Sequence, residues 1–254
     1  MDNVAPADFY TGIVALAYAL LRSSPPDAAP YSAFIHASGE PALELGCGDG
    51  DPMLELRGSG LDVEGLDSSI DMLTRLERKA AQLDLDVTVH HSTIEDMNLG
   101  KTYRSIYLAG PTFNLLANDD SARKALQRIR LHLDPGGAAL IPLFVPEAVR
   151  PQDLGVVREH TDEQGRTLRI SATATERDED ARRQTTQLRY EVVVGENVQT
   201  TERPWTLHWW TQAAFHDLVE EAGLKAEAVL SSDGSKAGHD ATEFAFWLRR
   251  DDTP

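Results

Sequence analysis

The chain has 254 residues, which suffices for one α/β domain with an insertion or for two small domains. Its 24 basic and 41 acidic residues give a formal net charge of −17, which disfavours nucleic acid and anionic membrane as partners. The one cysteine, Cys47, cannot form an internal disulfide, so we expect a cytoplasmic protein. The longest apolar run near the N-terminus, residues 12–21, is too short to cross a bilayer.

Two helices are predicted before residue 40. Residues 8–22 form a mostly apolar stretch that ends at Ser-Ser-Pro-Pro, and a second short helix is predicted over residues 29–37. We group residues 1–40 as an N-terminal helical cap.

A glycine-rich segment comes next. Residues 42–50 read Ala-Leu-Glu-Leu-Gly-Cys-Gly-Asp-Gly, an apolar run that breaks into three glycines. The pattern predicts a buried strand, a tight turn and then a helix start, whose free N–H groups suit a carboxylate or phosphate. A second strand, residues 61–66, ends at Asp67, which is 21 positions after Gly46. A carboxylate at that place can accept hydrogen bonds from both hydroxyls of a ribose.

The glycine spacing distinguishes between cofactors. A dinucleotide fingerprint requires G-x-G-x-x-G, but the sixth position counted from Gly46 is Asp51, a negative charge where a pyrophosphate would lie. The spacing therefore argues against a nicotinamide-dependent oxidoreductase, which we keep as an alternative.

The segment Glu-Leu-Gly-Cys-Gly-Asp-Gly resembles the first motif of the class I S-adenosylmethionine (SAM) dependent methyltransferases. The resemblance covers about residues 40–145 and implies SAM as the cofactor. It implies that Glu44 lies beneath the amino-acid end of SAM and that an N-terminal tyrosine, here Tyr10, closes over the site. Together with the motifs that follow, it assigns these cofactor-binding residues: Tyr10, Glu44, Leu45, Gly46, Cys47, Gly48, Gly50, Asp67, Ser68, Met72, Thr93, Ile94, Ala109 and Gly110.

Two further segments match the family. Asp67-Ser68-Ser69 with Met72 and Leu73 resembles its second motif and opens a helix with apolar residues at helical spacing up to Leu83. After a strand over residues 87–91, the segment 92–97 resembles the turn that contacts adenine. The family's usual Asp in this turn is replaced by Thr93, whose hydroxyl can accept the same hydrogen bond.

The loop after the fourth strand is expected to face the transferred methyl group. That strand covers residues 105–109, and ligands of open α/β sheets bind at the carboxyl ends of strands. We expect Ala109 and Gly110 to border the methyl group, Phe113 to form a wall and Asn114 to orient the acceptor. A helix over residues 121–133 and a fifth strand over residues 138–144 complete the core, residues 41–145.

Residues 146–210 are rich in β-strand patterns separated by turn sequences. Similar methyltransferases of the glycine and amino-sugar type carry a β insertion here, so we predict an antiparallel insertion at the substrate side or at an oligomer contact. A helix and a β-hairpin over residues 211–254 complete the core. The fold prediction is an α/β, Rossmann-like seven-stranded methyltransferase sheet with helices on both faces and this insertion.

The resemblance implies transfer of a methyl group to N or O of a small molecule by direct displacement. Candidates for a base are Tyr10, His91, Glu159 and His208, with Tyr10 and His208 preferred. Trp209 and Trp210 are candidates for contacts with a cationic acceptor. No metal is predicted, a homodimer is left open, and a non-catalytic SAM-binding protein is the other alternative.

Overall fold

We describe a computed structural model of the chain, which covers residues 9–18, 26–162 and 165–251. No helix among these residues is long and apolar enough to cross a membrane.

A seven-stranded sheet forms the core, and the predicted fold is confirmed. The strand order is β10-β11-β5-β4-β1-β2-β3, with β1–β5 parallel to one another and β11 antiparallel to both of its neighbours, β5 and β10. The central strands are buried on both faces, as expected for parallel strands covered by helices. The strands are β1 (Ala42–Leu45), β2 (Val63–Asp67), β3 (Val89–His91), β4 (Tyr103–Tyr107), β5 (Leu133–Phe144), β10 (Leu224–Leu230) and β11 (Glu243–Arg250).

Side-chain caps fix where three of the helices begin. The hydroxyl of Ser69 accepts a hydrogen bond from the Met72 N–H, and Asn118 and Thr211 cap the two later helices in the same way. The helices are α1 (Ile13–Leu16), α2 (Ala29–Ser38), α3 (Met53–Gly58), α4 (Ile70–Gln82), α5 (Asp119–His132) and α6 (Gln212–Glu221).

A second, antiparallel sheet lies between β5 and α6, in the predicted insertion. Its strands are β6 (Arg158–Thr161), β7 (Thr167–Asp178), β8 (Arg183–Val194) and β9 (Asn197–His208), paired in chain order. One face of this sheet packs on the N-terminal segment, where Phe9 and Val14 contact Ile170, Leu188 and Tyr190. The second sheet and the N-terminal segment therefore form one structural layer.

The predicted helix over residues 8–22 is only partly described. Helix α1 covers Ile13–Leu16, and Phe9 to Gly12 form a turn before it. Residues 1–8 and 19–25 lie outside the described residues, so the rest of this prediction is not tested.

One buried side chain joins the second sheet to the core. The amide of Asn114 donates to the carbonyls of Phe144 and His208, and its oxygen accepts from the Phe144 N–H. Phe144 ends β5 and His208 ends β9, so the insertion leaves and re-enters the core at the same place.

Candidate functional site

A cavity of about 300 Å³ opens at the carboxyl ends of the parallel strands. This is the edge where an open α/β sheet binds its ligands. The cavity is lined by Tyr10, Tyr18, Gly46, Gly48, Leu66, Asp67, Ser68, Met72, Ser92, Thr93, Ile94, Glu95, Thr112, Leu115, Leu116, Ala117 and Ser121.

The first part of the wall is the backbone of the glycine loop. Gly46 has φ +69°, and a Cβ there would lie 2.6 Å from Cγ2 of Thr112. The Gly46 N–H donates to the Leu66 carbonyl, which holds the loop against β2. Glycine is required here because the loop is left-handed and touches the segment after β4. The result is a backbone cradle that a ligand can approach closely.

Asp67 stands beside this cradle in a fixed orientation. Its two carboxylate oxygens accept from the Gly48 N–H and the Ser69 N–H, each at 2.8 Å. Burial raises the pKa of Asp67, and the two backbone hydrogen bonds oppose that rise. Each oxygen keeps a further lone pair, so the carboxylate can still accept hydrogen bonds from a pair of vicinal hydroxyls.

The turn after β3 forms the end of the cavity that lies opposite the glycine loop. The Thr93 hydroxyl donates to the Asp96 carboxylate at 3.0 Å and accepts from the Asp96 N–H at 3.2 Å. Its capacity for another partner is therefore reduced. Glu95 also lines the cavity, is half-buried, and its pKa is raised by burial. Ile94 supplies a buried apolar surface for a ring.

The N-terminal segment covers the cavity. The rings of Tyr10 and Tyr18 meet edge to face with centroids 5.6 Å apart, and both line the cavity. The Ser69 hydroxyl donates to the Tyr10 carbonyl, and the Gly12 N–H donates to the Asp71 carboxylate at 2.6 Å. These bonds attach the cover to the start of α4, directly beside Asp67.

Six predicted cofactor residues do not line the cavity. Glu44 is buried and accepts a hydrogen bond from the Tyr107 hydroxyl at 2.7 Å, so its carboxylate is used inside the fold. The Cys47 thiol is buried, and its pKa is well above the usual value, chiefly because of burial. A Cβ at Gly50 would lie 2.7 Å from Leu54. The six residues are Glu44, Leu45, Cys47, Gly50, Ala109 and Gly110.

The four predicted acceptor residues lie in the interior, and none of them lines the cavity. Phe113 and Trp210 are fully buried and pack on one another with ring centroids 5.7 Å apart. Trp210 donates its N–H to Asp119 at 2.8 Å, and Trp209 stacks under the Arg177 guanidinium at 4.2 Å. Asn114 holds the two ends of the insertion, as described above.

Of the candidate bases, only Tyr10 lines the cavity. His208 is buried with Nε2 3.8 Å from Asp119, and its pKa is lowered chiefly by burial. His91 contacts the Ser68 carbonyl. Glu159, on β6, is exposed and forms an ion pair with Arg169. The preference for His208 as a base is therefore not supported by its position.

Sequence reasoning missed the second half of the lining. Tyr18, Thr112 and Ser121 present hydroxyl groups, and Glu95 adds a carboxylate. The only sequence signal for Thr112 is its place in the loop after the fourth strand, where the neighbouring Phe113 is predicted to form the wall. In this irregular loop, Thr112 faces the cavity while the next residue, Phe113, enters the core.

Comparisons with known proteins agree with this geometry. A methyltransferase domain family matches residues 42–137. A dTDP-3-amino-3,6-dideoxy-alpha-D-glucopyranose N,N-dimethyltransferase from Streptomyces fradiae is 27% identical over 190 residues, which cover 71% of this chain and 72% of that protein. A second such enzyme, a dTDP-3-amino-3,4,6-trideoxy-alpha-D-glucopyranose N,N-dimethyltransferase from Streptomyces venezuelae, is 26% identical over 41% of this chain and 43% of its own length.

Solved structures show the same fold. An amino pentose methyltransferase from Micromonospora echinaspora with bound SAM aligns with TM-score 0.66 at 22% identity, over 98% of this chain and 99% of that one. A sugar N-methyltransferase from Streptoalloteichus sp. aligns with TM-score 0.70 at 18% identity, over 93% of this chain and 92% of that one. The predicted recognition and cofactor are confirmed, and neither the oxidoreductase nor the non-catalytic alternative gains support. Residues 42–137 are a methyltransferase domain, and the comparisons support a SAM-dependent methyltransferase that acts on a small molecule.

Proposed function

We propose that the acceptor is the amino nitrogen of an amino sugar carried on a nucleoside diphosphate. The observation that carries the proposal is the cavity itself, in which a glycine cradle, an oriented Asp67 and an aromatic cover surround one space. The two curated relatives are named for N-methylation of dTDP-linked amino sugars, which supports this acceptor class.

We assign the cofactor contacts to the lining residues of the core. Asp67 would bind the ribose hydroxyls, and the loop Gly46–Gly48 with Thr112 would hold the amino-acid end. Ile94 would pack on adenine. Because the Thr93 hydroxyl is bonded to Asp96, we assign the hydrogen bond from the adenine amino group to Glu95. The six predicted residues outside the lining would support the loop without touching the cofactor.

SAM, when bound, would supply a methyl group on a sulfonium, and S-adenosylhomocysteine would leave as the nitrogen lone pair of the acceptor forms the new C–N bond. The methylated nitrogen would then lose a proton to solvent, which restores the lone pair for a second transfer. The protein has to align the two partners and exclude water, which can supply many kcal/mol. Tyr10 and Tyr18 close the cavity on the N-terminal side, and Thr112 and Ser121 offer hydroxyls to orient the amine. An amine that enters uncharged needs no strong base, which fits a cavity lining without histidine among the described residues.

We also propose roles for the predicted segments. Residues 1–40 would cover the cofactor, 41–145 with 211–254 would form the catalytic core, and 146–210 would contact the acceptor or a second copy of the chain. The net charge of −17 supports the absence of a nucleic-acid partner. The single buried cysteine supports a cytoplasmic location, and the homodimer stays a proposal.

The test is methyl transfer by the purified protein. SAM is incubated with dTDP-3-amino-3,6-dideoxyglucose, with its hydroxyl analogue and with the free amino sugar, and products are read by mass spectrometry. We expect mass gains of one and two methyl groups on the nucleotide-linked amine alone. Methylation of the hydroxyl analogue or of the free sugar only would contradict the proposed acceptor.

A further inference from the structure

The two faces of the second sheet differ in charge. Cross-strand register places Ile170, Leu188 and Tyr190 on the face that packs against α1, which we call the inner face. Among the strand residues that the structure describes, every aspartate and glutamate of this sheet lies on the outer face. Since the chain has 41 acidic residues, an inner face without a carboxylate is a local exception to the negative field.

Among the residues that the structure describes, two arginines of the inner face have no bonded partner. Arg158 lies opposite Ile170, and Arg203 lies opposite Leu188. Within the described part of the chain, neither guanidinium has a hydrogen bond or an ion pair. A third arginine of this face, Arg177, differs because it binds Glu179 at 2.6 Å and stacks on an indole ring.

A buried hydroxyl lies between these arginines. Tyr190 is fully buried, and its hydroxyl has no hydrogen-bond partner among the described atoms, as is also true of the Trp205 N–H. Burial and the nearby Tyr10 phenol raise the pKa of Tyr190, whereas Arg158 and Arg203 oppose the rise. The register agrees with this: Tyr190 lies opposite Ile170, which lies opposite Arg158, and Arg203 lies opposite Leu188, two positions before Tyr190. Tyr10 lines the cofactor cavity, so the inner face borders that cavity.

Space for a ligand exists on the same face. A second cavity of about 220 Å³ is lined by Arg158, Ile170, Ser171, Ala172 and Leu188 of the sheet and by Asp153 and Val156, which precede β6. Leu188 lies directly opposite Arg203 and two positions before Tyr190, so these two residues lie beside this lining rather than in it. The carboxylate in its lining belongs to Asp153, which is neutralised by Arg150 at 2.8 and 3.1 Å. A buried donor without a partner is costly in a folded protein, so the Tyr190 hydroxyl is available to an acceptor that reaches this face.

We propose that Arg158, Arg203 and the Tyr190 hydroxyl bind the diphosphate group of the nucleotide that carries the acceptor. The inference rests on the proposed function and adds the residues that select a nucleotide-linked sugar over a free one. Guanidinium groups bind phosphate oxygens with paired hydrogen bonds, and a phenol donates one more. Among the described strand residues, the inner face presents no carboxylate that would repel the anion.

The test is calorimetric binding of dTDP, ADP and inorganic pyrophosphate to the protein saturated with S-adenosylhomocysteine. Variants are Arg158→Gln, Arg203→Gln, the double variant and Tyr190→Phe. We expect wild type to bind the diphosphates, each arginine variant to bind about tenfold more weakly and the double variant about a hundredfold, with weaker salt dependence. Tyr190→Phe is expected to weaken binding several-fold.

Arg189→Gln is the matched control. Arg189 precedes Tyr190 on the same strand but points to the outer face, where it pairs with Glu202 at 2.7 Å. We expect its diphosphate affinity to equal that of wild type, and we expect S-adenosylhomocysteine affinity to be unchanged in every variant. Equal losses for Arg189→Gln and Arg203→Gln would show non-specific attraction and overturn the proposal. Wild-type affinity in the double variant would do the same.

Turnover separates this inference from the proposed function. If wild type methylates the dTDP-linked amino sugar and the double variant keeps its KM, the diphosphate site is wrong while the acceptor assignment stands. If wild type binds none of the diphosphates, the inference is overturned directly. Methylation of free amino sugars alone would overturn the acceptor assignment as well.

Discussion

The two sheets of this protein offer their binding groups in different ways. At the core sheet the groups are backbone N–H donors, glycines and one oriented carboxylate, all at strand ends within a short stretch of sequence. At the second sheet they are side chains from three strands that meet only through register. A site built from the backbone of one loop appears in the sequence as a contiguous motif. A site built from a sheet face does not, because its residues are far apart in the chain. The core site can therefore be predicted from sequence, whereas the inner face cannot.

The largest expected effect is on the backbone cradle. In Gly46→Val, a Cβ would lie 2.6 Å from Thr112 at φ +69°, so strain and collision together should cost about 4 kcal/mol, close to a thousandfold in SAM affinity. Calorimetric titration with SAM measures it. Gly60→Val is the control, because Gly60 also has a positive φ of +95° but its Cβ would meet no atom within 4 Å. Equal losses in both variants would mean that loop strain alone matters.

Asn114, which joins the second sheet to the core sheet, should contribute to the stability of the fold. Asn114→Ala leaves the carbonyls of Phe144 and His208 and one N–H without their partner in the interior, which should lower the free energy of unfolding by about 3 kcal/mol. Urea denaturation measures the loss. A change below about 0.5 kcal/mol would show that the two regions are joined mainly by other contacts.

The oriented carboxylate should give an intermediate effect with a defined pH dependence. Asp67→Asn should weaken SAM binding about tenfold to thirtyfold, because the ionised carboxylate is the better acceptor for ribose hydroxyls. Since the pKa of Asp67 is raised, wild-type affinity should fall as the pH drops through a value above the usual aspartate range. The amide of the Asp67→Asn variant has no such transition, so any acidic loss left in that variant belongs to Glu95. An unchanged pH profile would remove Asp67 from the ribose site.

The smallest effect distinguishes two neighbours in the adenine turn. Glu95→Gln should weaken S-adenosylhomocysteine binding about fivefold to tenfold and improve the relative affinity for S-inosylhomocysteine, whose 6-oxo group accepts hydrogen bonds. Thr93→Val is the matched variant and should leave this preference unchanged, because its hydroxyl is bonded to Asp96. A preference that shifts only in Thr93→Val would restore the assignment made from the sequence.

The fold could be predicted from the sequence, whereas the side chains that face the cavity after β4 could not, for physical reasons. Apolar runs closed by glycine and the position of Asp67 follow from local rules, so strands, helices and the cofactor loop could be predicted. Which side chains of an irregular loop turn inward depends on packing from distant strands. Phe113 and Trp210 therefore looked like pocket walls but pack on one another, and Asn114 binds carbonyls 30 and 94 positions away.

The meeting of both ends of the insertion at Asn114 has an evolutionary consequence. A segment that departs and returns at one point behaves as an exchangeable cassette, since its length and strand number can change while the seven-stranded sheet keeps its register. On the proposal that residues 146–210 contact the acceptor, selection can then act on acceptor choice in the insertion and on cofactor use in the core as separate traits. Descendants of such a scaffold can diversify in what they methylate while the part that holds the methyl donor stays the same.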